Sequence, residues 1–138
     1  MMNQTNQHSG HNHYTLINLL LECGTSCEMC AAACLDEPDV KMMTQCISLD
    51  RDCADICFLT AKLLIRDNII AHKLLSVCAE ICGECAKECS KHEHEHCKKC
   101  AEICFKCQQA CHAHIAGNKW LIFVALFGFI LLFLLNKR

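Results

Sequence analysis

Cysteines recur along this chain in four rows, and the spacing within the rows is the feature that most restricts the fold. Within a row, neighbouring cysteines are three, four or seven residues apart. Such intervals return a side chain to the same face of an α-helix, so each row predicts a helix with sulfur along its inner face. The sixteen cysteines are Cys23, Cys27, Cys30 and Cys34; Cys46, Cys53 and Cys57; Cys78, Cys82, Cys85 and Cys89; and Cys97, Cys100, Cys104, Cys107 and Cys111.

The segments between the rows contain the signals that end helices. The polar stretches LDEPD, RDN and SKHEH separate one row from the next. The predicted helices cover about residues 14–35, 38–66, 69–90 and 94–115. Long helices joined by short turns pack against their neighbours in alternating directions. The predicted fold class is therefore all-α, an antiparallel up-down four-helix bundle with a Cys-lined core, spanning residues 14–116.

Local residues also predict where two helices begin and end. Pro38 suits the first turn of the second helix, with Asp36 or Glu37 as its cap. Gly117 and Asn118 suit a helix stop after the fourth row.

The two ends of the chain differ from the bundle. Residues 1–13 are polar and contain His8, His11 and His13, and they are predicted to form a flexible arm. The segment WLIFVALFGFILLFLL (120–135) is apolar on every side and would span about 24 Å as a helix, near the ~30 Å of a hydrocarbon core. Residues 117–138 are therefore predicted to be a C-terminal single transmembrane helix that anchors the chain by its tail.

Charge and leader signals indicate the compartment. Without Lys119, Lys137 and Arg138, the chain has 10 basic against 15 acidic residues, which argues against nucleic acid as a partner. The start of the sequence lacks a basic segment followed by an apolar run, so no secretory signal is predicted. We therefore expect the bundle at the cytoplasmic face of a membrane, although Lys137 and Arg138 favour the opposite orientation.

Several chemistries could use so many cysteines, and soft metal binding fits the pattern best. Thiols on one helix do not present disulfide geometry, and leucine would fill a purely structural core better. Cu(I) prefers thiolates, and one Cu(I) for each thiolate leaves a nearly neutral core. All sixteen cysteines are thus candidate Cu(I) ligands, which predicts many ions per chain and a storage protein that is not an enzyme.

Two alternatives remain open at this stage. Four Cys₄ zinc sites would use every cysteine, but zinc pairs usually lie in turns and each site would keep a net charge of −2. Iron–sulfur clusters for electron transfer would also suit sixteen cysteines, but the ferredoxin run C-x₂-C-x₂-C-x₃-C-P is absent from the sequence.

The motifs CADIC (53–57) and CAEIC (78–82 and 100–104), with the linker KHEHEHCKKCAEIC, resemble the cysteine-rich four-helix bundle copper storage proteins. The resemblance covers about residues 14–115. It implies a bundle filled with Cu(I) thiolates, homo-oligomers, a role in storing or detoxifying copper, and a copper chaperone as a candidate partner. It also favours the cytosolic branch of the family, whereas the apolar tail departs from the usual soluble pattern.

The helical register predicts which end of the core admits metal. It places Met43 and His92 at core positions beside Cys46 and Cys89, with Met42, His94 and His96 nearby. These softer or weaker ligands are the predicted ion entrance, with His92 and Met43 favoured over the other three.

The same register predicts a closed opposite end. The side chains expected to form an apolar plug there are Leu16, Leu20, Leu64, Ala71 and Leu75. His114 also falls in register at this end and is expected to be a satisfied core histidine. Asp50 takes a core position of the second helix where a cysteine would continue the row, and either metal ligation or a bond to a thiol would explain it. The tail is predicted to leave the bundle at the plug end.

Overall fold

A computed structural model describes the backbone of residues 7–135 and the side chains of residues 13–134 other than residue 131. Four α-helices make up the fold, and no β-strand occurs within the described residues. We name the helices α1 (Gln7–Leu35), α2 (Thr44–Ile65), α3 (Ile70–Cys89) and α4 (Glu95–Leu135). A single turn of 3₁₀ helix, Val40–Met42, precedes α2.

The helices form a closed ring in which each contacts its two neighbours, in the order α1, α2, α3, α4. Sulfur contacts show that neighbours run in opposite directions. Between α2 and α3, Cys46 meets Cys89 while Cys57 meets Cys78, so one row ascends as the other descends. The predicted helical bundle with a cysteine core is therefore confirmed.

Two kinds of side chain fill the core. All sixteen cysteines are buried and lie in one continuous cluster. The five predicted plug residues are also buried and extend this cluster at the end where α1 enters the ring. Cysteine side chains therefore fill one end and the middle of the core, and aliphatic side chains fill the other end.

The first helix begins earlier than the sequence predicted. It starts at Gln7, so residues 7–13 are helical and the prediction of a flexible arm over residues 1–13 is wrong for them. Only residues 1–6 of the predicted arm lie outside the described backbone. Because His13 packs against other histidine rings, contacts with the bundle support the extra helical turn.

The turn between α1 and α2 also differs from the prediction. Pro38 lies in the turn and not in the first turn of α2, which begins only at Thr44. No side-chain cap bond forms at the start of α2, so Asp36 and Glu37 are not its caps. Glu37 instead contacts histidines of the α3–α4 segment, an interaction that no local pattern signals.

The turn between α2 and α3 is where the sequence placed it. Asp67 has a φ of 50°, and the amides of Asp67 and Asn68 bond back to the carbonyls of Leu64 and Leu63. This is the Schellman arrangement, in which Asp is one of the few non-glycine residues tolerated in the left-handed region. Asn68 then accepts a bond from the amide of Ile70 and starts α3.

The fourth helix does not stop at Gly117–Asn118, as the sequence predicted, but continues to Leu135. One glycine costs a helix only about 1 kcal/mol, and the apolar residues beyond it form helix readily. Within the described residues, two segments are long and apolar enough to cross a membrane: His13–Leu35, which is partly buried in the bundle, and Glu95–Leu134, whose apolar window is not buried.

Candidate metal centre

The cysteines form a seam of closely spaced free thiols. All sixteen are buried and unpaired by disulfides. Sulfur–sulfur contacts across and along the helices range from 3.4 to 4.0 Å. Sulfurs that share one metal ion at about 2.3 Å lie about 4 Å apart, so the metal-free spacing is already close to that of a shared ion.

Neighbouring groups of thiols share members. One group joins Cys23, Cys53, Cys57 and Cys82, and a second contains Cys23 and Cys53 again with two other sulfurs. The sulfurs of each group lie within 4.8 Å of one another. A thiolate that belongs to two groups can bridge two ions, so the seam is continuous and is not divided into separate four-cysteine sites.

The helical spacing explains this continuity. Cysteines on α1 and α3 follow intervals of four, three and four residues, and α4 follows the same alternation. The spacing in α2 is identical when Asp50 is counted with its three cysteines. Asp50 therefore takes a thiol's place in the wall of the core.

Asp50 is fully buried among thiols and bonds to them, as one of its two predicted roles required. Its Oδ1 accepts hydrogen bonds from Cys85 at 3.1 Å and from Cys89 and Cys100 at 3.3 Å. The thiol of Cys46 donates to Oδ2 at 3.8 Å. Burial, together with the neighbouring Cys100 and Cys85, raises the pKa of the carboxyl to about 10.

One end of the core is formed by the last turns of α1 and α3 and the first turns of α2 and α4, and we call it the mouth. His96 lies there with its Nδ1 at 3.4 Å from the sulfur of Cys97, 3.6 Å from Cys30 and 3.8 Å from Cys34. These four side chains form a group whose ligand atoms lie within 4.8 Å of one another. His96 is thus the histidine that the structure brings to the thiols.

A carboxylate from the α1–α2 turn holds His96 in this position. Its Nε2 lies 2.9 Å from the Oε1 of Glu37, which leaves Nδ1 as the nitrogen that faces sulfur. A carboxylate behind a ligating imidazole fixes its tautomer and orientation. His94 stacks on His96 and lies 3.3 Å from Glu37 and 3.4 Å from Asp39. The sequence offers Glu37 only as a helix cap, and no local pattern links it to His96.

The other predicted mouth residues have different surroundings. Met43 is fully buried just before α2, as expected, whereas Met42 is largely exposed. His92 lies in the α3–α4 turn, with its Nε2 3.6 Å from a carboxylate oxygen of Glu88. The sequence predicts His92 as a more favoured entrance ligand than His96. In the structure, however, the ring nitrogen of His96 lies beside thiol sulfurs.

Burial holds two thiols at the mouth in their protonated form. It raises the pKa of Cys34 to about 11 and likewise raises the pKa of Cys97 above its ordinary value. These two side chains therefore carry no buried negative charge near neutral pH. A cation that replaces these protons keeps the charge balanced.

The buried carboxyl of Asp50 predicts a pH dependence of the metal-free protein. Between about pH 4 and pH 10 the folded state holds a proton that the unfolded state has lost, so the free energy of unfolding falls as pH rises. We expect the free energy of unfolding of Asp50→Asn to depend less on pH. Between pH 5 and 7.5 it should fall by less than that of the wild type, by an amount on the order of 1–3 kcal/mol. Urea unfolding of the reduced protein at several pH values measures the slope. The control is Asp52→Asn, an exposed neighbour on α2, and equal slopes in wild type and Asp50→Asn would contradict the assignment.

The sequence and the fold both match known proteins. A family profile described as Copper storage protein matches residues 9–116. The uncharacterized cysteine-rich protein YhjQ of Bacillus subtilis (strain 168) is 39% identical over 82 residues, which is 59% of this chain and 76% of that protein.

Solved structures give the same result. A cytosolic copper storage protein from Streptomyces lividans, solved with five coppers, is 41% identical with a TM-score of 0.74 and covers 77% of this chain and 93% of its own. The Cu(I)-bound copper storage protein BsCsp3 of Bacillus subtilis is 37% identical with a TM-score of 0.71, over 74% of this chain and 96% of its own. Because the profile spans most of the chain and these relatives share its cysteine-rich bundle, this chain belongs to the copper storage protein family.

Proposed function

We propose that this chain stores Cu(I) as a run of thiolate-bridged ions along its core and is not an enzyme. The observation that carries the proposal is the sharing of thiols between neighbouring groups, with Cys23 and Cys53 as examples. A shared thiolate places successive ions close together, which suits a dense store of a soft monovalent ion. Copper-loaded relatives with the same fold support it.

Charge separates copper from the alternatives. A Cu(I) ion that replaces each thiol proton leaves the core neutral, whereas four Zn²⁺ ions with sixteen thiolates would leave a net charge of −8 in a buried space. Iron–sulfur clusters would need inorganic sulfide between the helices, but core sulfurs already lie 3.4–4.0 Å apart. The spacing therefore favours single ions between cysteines.

Anaerobic titration of the reduced protein with Cu(I) tests the store. We expect saturation at many ions per chain, on the order of one for each thiol, a colourless product, and release of about one proton per ion. Competition with a chromophoric Cu(I) chelator gives the stoichiometry, and pH measurement in weak buffer gives the protons. Saturation near four Zn²⁺ ions with no Cu(I) preference, or a brown protein containing iron and sulfide, would overturn the proposal.

We also propose that copper enters at the mouth through His96. Its Nδ1 faces three thiols and its Nε2 is held by Glu37, so the imidazole is oriented before any ion arrives. The pKa of the neighbouring Cys34 thiol is raised by burial, so this thiol has to release a proton before it binds an ion. Met43 and Met42 supply soft thioethers near the same end, and His92 and His94 line the adjoining turn.

His96→Ala is expected to slow Cu(I) loading by roughly tenfold while lowering the capacity by no more than about one ion. The reason is that the thiols that store the ions remain, but the oriented ligand at the mouth is lost. Stopped-flow transfer from a weak Cu(I) chelator measures the rate. The matched control is His92→Ala in the adjoining α3–α4 turn, where its Nε2 lies near a carboxylate oxygen of Glu88. An equal loss of rate in both variants would show that His96 has no special role.

We further propose that residues 117–138 anchor the protein to a membrane, with the bundle and its store on the cytoplasmic side. The described tail side chains from Trp120 onwards are exposed and apolar, including Phe123, Phe127 and Phe129. The amide of Asn118 lies 3.1 Å from His72 near the start of α3, so α4 leaves the bundle at the plug end. The copper mouth would then point away from the lipid.

Removal of the tail should abolish membrane attachment without changing the store. A chain that ends after Ala116 is expected to remain in the supernatant after centrifugation with phosphatidylcholine vesicles, whereas the full chain stays with the vesicles after carbonate washing. The Cu(I) capacity of both forms should be equal, because all sixteen cysteines precede the cut. Release of the full chain by carbonate would refute the anchor.

Assembly and delivery complete the proposal. Exposed apolar side chains on the bundle, among them Met29, Leu59 and Phe105, favour association of copies into a homo-oligomer. A copper chaperone is the proposed donor at the mouth, since thiols and a histidine gathered there could accept Cu(I) by ligand exchange. Neither partner changes the chemistry assigned to the core.

A further inference from the structure

Three histidines from three different helices meet at the plug end, away from the thiol seam. The ring centroids of His13 and His114 are 4.8 Å apart, those of His72 and His114 are 5.9 Å apart, and those of His13 and His72 are 6.0 Å apart. They come from α1, α3 and α4, and the bundle brings them together although they are distant in sequence. We propose that these three imidazoles form a second metal site, for one divalent ion of the borderline class such as Zn²⁺.

The ring spacing suits a single ion. Imidazole nitrogens bind Zn²⁺ at about 2.0–2.1 Å in a tetrahedral arrangement, which places the ring centroids about 5 Å apart. The pair His13–His114 is already at that separation, and His72 needs to approach by only about 1 Å. Three protein ligands with an open fourth position are a common zinc arrangement.

His114 has a nitrogen that is available to a metal. Its Nε2 is buried and has no hydrogen-bond partner among the described residues. The prediction of a satisfied core histidine is therefore wrong for this nitrogen. Burying a nitrogen without a hydrogen-bond partner is costly unless something binds it.

The surroundings provide support and access. The amide nitrogen of Asn118 lies 3.1 Å from Nδ1 of His72 and donates to it. A flip of this amide would turn its oxygen to Nδ1, where it would accept the ring N–H and leave Nε2 free for a metal. A solvent-open cavity whose lining includes Leu16, Ala110 and His114 borders one of the three rings. Nitrogen ligands suit borderline divalent ions, whereas the thiol core suits Cu(I), so the two sites select different metals.

The consequence is a clamp at the point where the tail leaves the bundle. An ion held by His13, His72 and His114 would tie the N-terminal parts of α1 and α3 to α4 just before Gly117. Plug leucines separate His13 and His72 from the first cysteines of α1 and α3 along the sequence, whereas on α4 His114 follows Cys111 by three residues.

The test uses the full chain in detergent micelles, saturated with Cu(I) under anaerobic conditions so that the thiols cannot take zinc. Equilibrium dialysis against Zn²⁺ should then give one further ion per chain. X-ray absorption at the zinc edge should show only nitrogen or oxygen neighbours, at about 2.0 Å. The double variant His72→Ala with His114→Ala should weaken zinc binding at least tenfold and leave the Cu(I) capacity unchanged.

Two controls separate this site from other histidines. His112→Ala removes an exposed imidazole two residues from His114, and His8→Ala with His11→Ala removes the histidines nearer the N-terminus. Both should bind zinc as the wild type does. If circular dichroism shows that the double variant is unfolded, His13→Ala takes its place with the same expected loss. Sulfur neighbours at the zinc, zinc lost only with His8 and His11, or no binding tighter than millimolar would overturn the site.

Discussion

The cost of burying negative charge is the constraint on which the rest of this structure depends. Sixteen thiols fill the space that leucines would fill in an ordinary bundle, and each would be expensive to ionise there. At the mouth, burial raises the pKa values of Cys34 and Cys97, so these two thiols stay protonated and avoid that cost. A soft monovalent ion is the cargo that replaces a proton without changing the charge of the core. The need to keep the core neutral also disfavours zinc, because the charge of a divalent ion is not balanced by a single thiolate.

A core of small side chains still has to hold four helices together without metal. Cysteine contributes as a small hydrophobe and a weak hydrogen-bond donor, and contacts of 3.4–4.0 Å between sulfurs leave little empty space between the helices. The plug, which contains Leu20 and Leu75, adds ordinary aliphatic packing at one end. Packing at that end holds the helices in place relative to one another. The cysteine-lined part of the core can then bind ions without first having to fold.

The repeat of three and four residues made most of this architecture predictable. It assigned the inner face of every helix, and so it predicted the burial of all sixteen cysteines and of the plug. It could not predict features that depend on turns, where helical periodicity no longer relates sequence to space. Pro38 and Gly117 resemble helix-end signals, yet the first lies in a turn and the second within a helix. His92 is in register only if the helix continues, and α3 ends at Cys89.

His96 shows why contacts between distant segments decide the chemistry of the mouth. Its ring is oriented by Glu37, which is 59 residues away in sequence and belongs to another turn. No local pattern links the two, but together they reproduce the carboxylate–imidazole pairing that prepares a nitrogen for a metal. Asp50 represents the opposite arrangement, because its carboxyl is itself buried and accepts hydrogen bonds from the thiols around it. Neither arrangement follows from the cysteine spacing of a single row, because each depends on segments that meet only in the folded bundle.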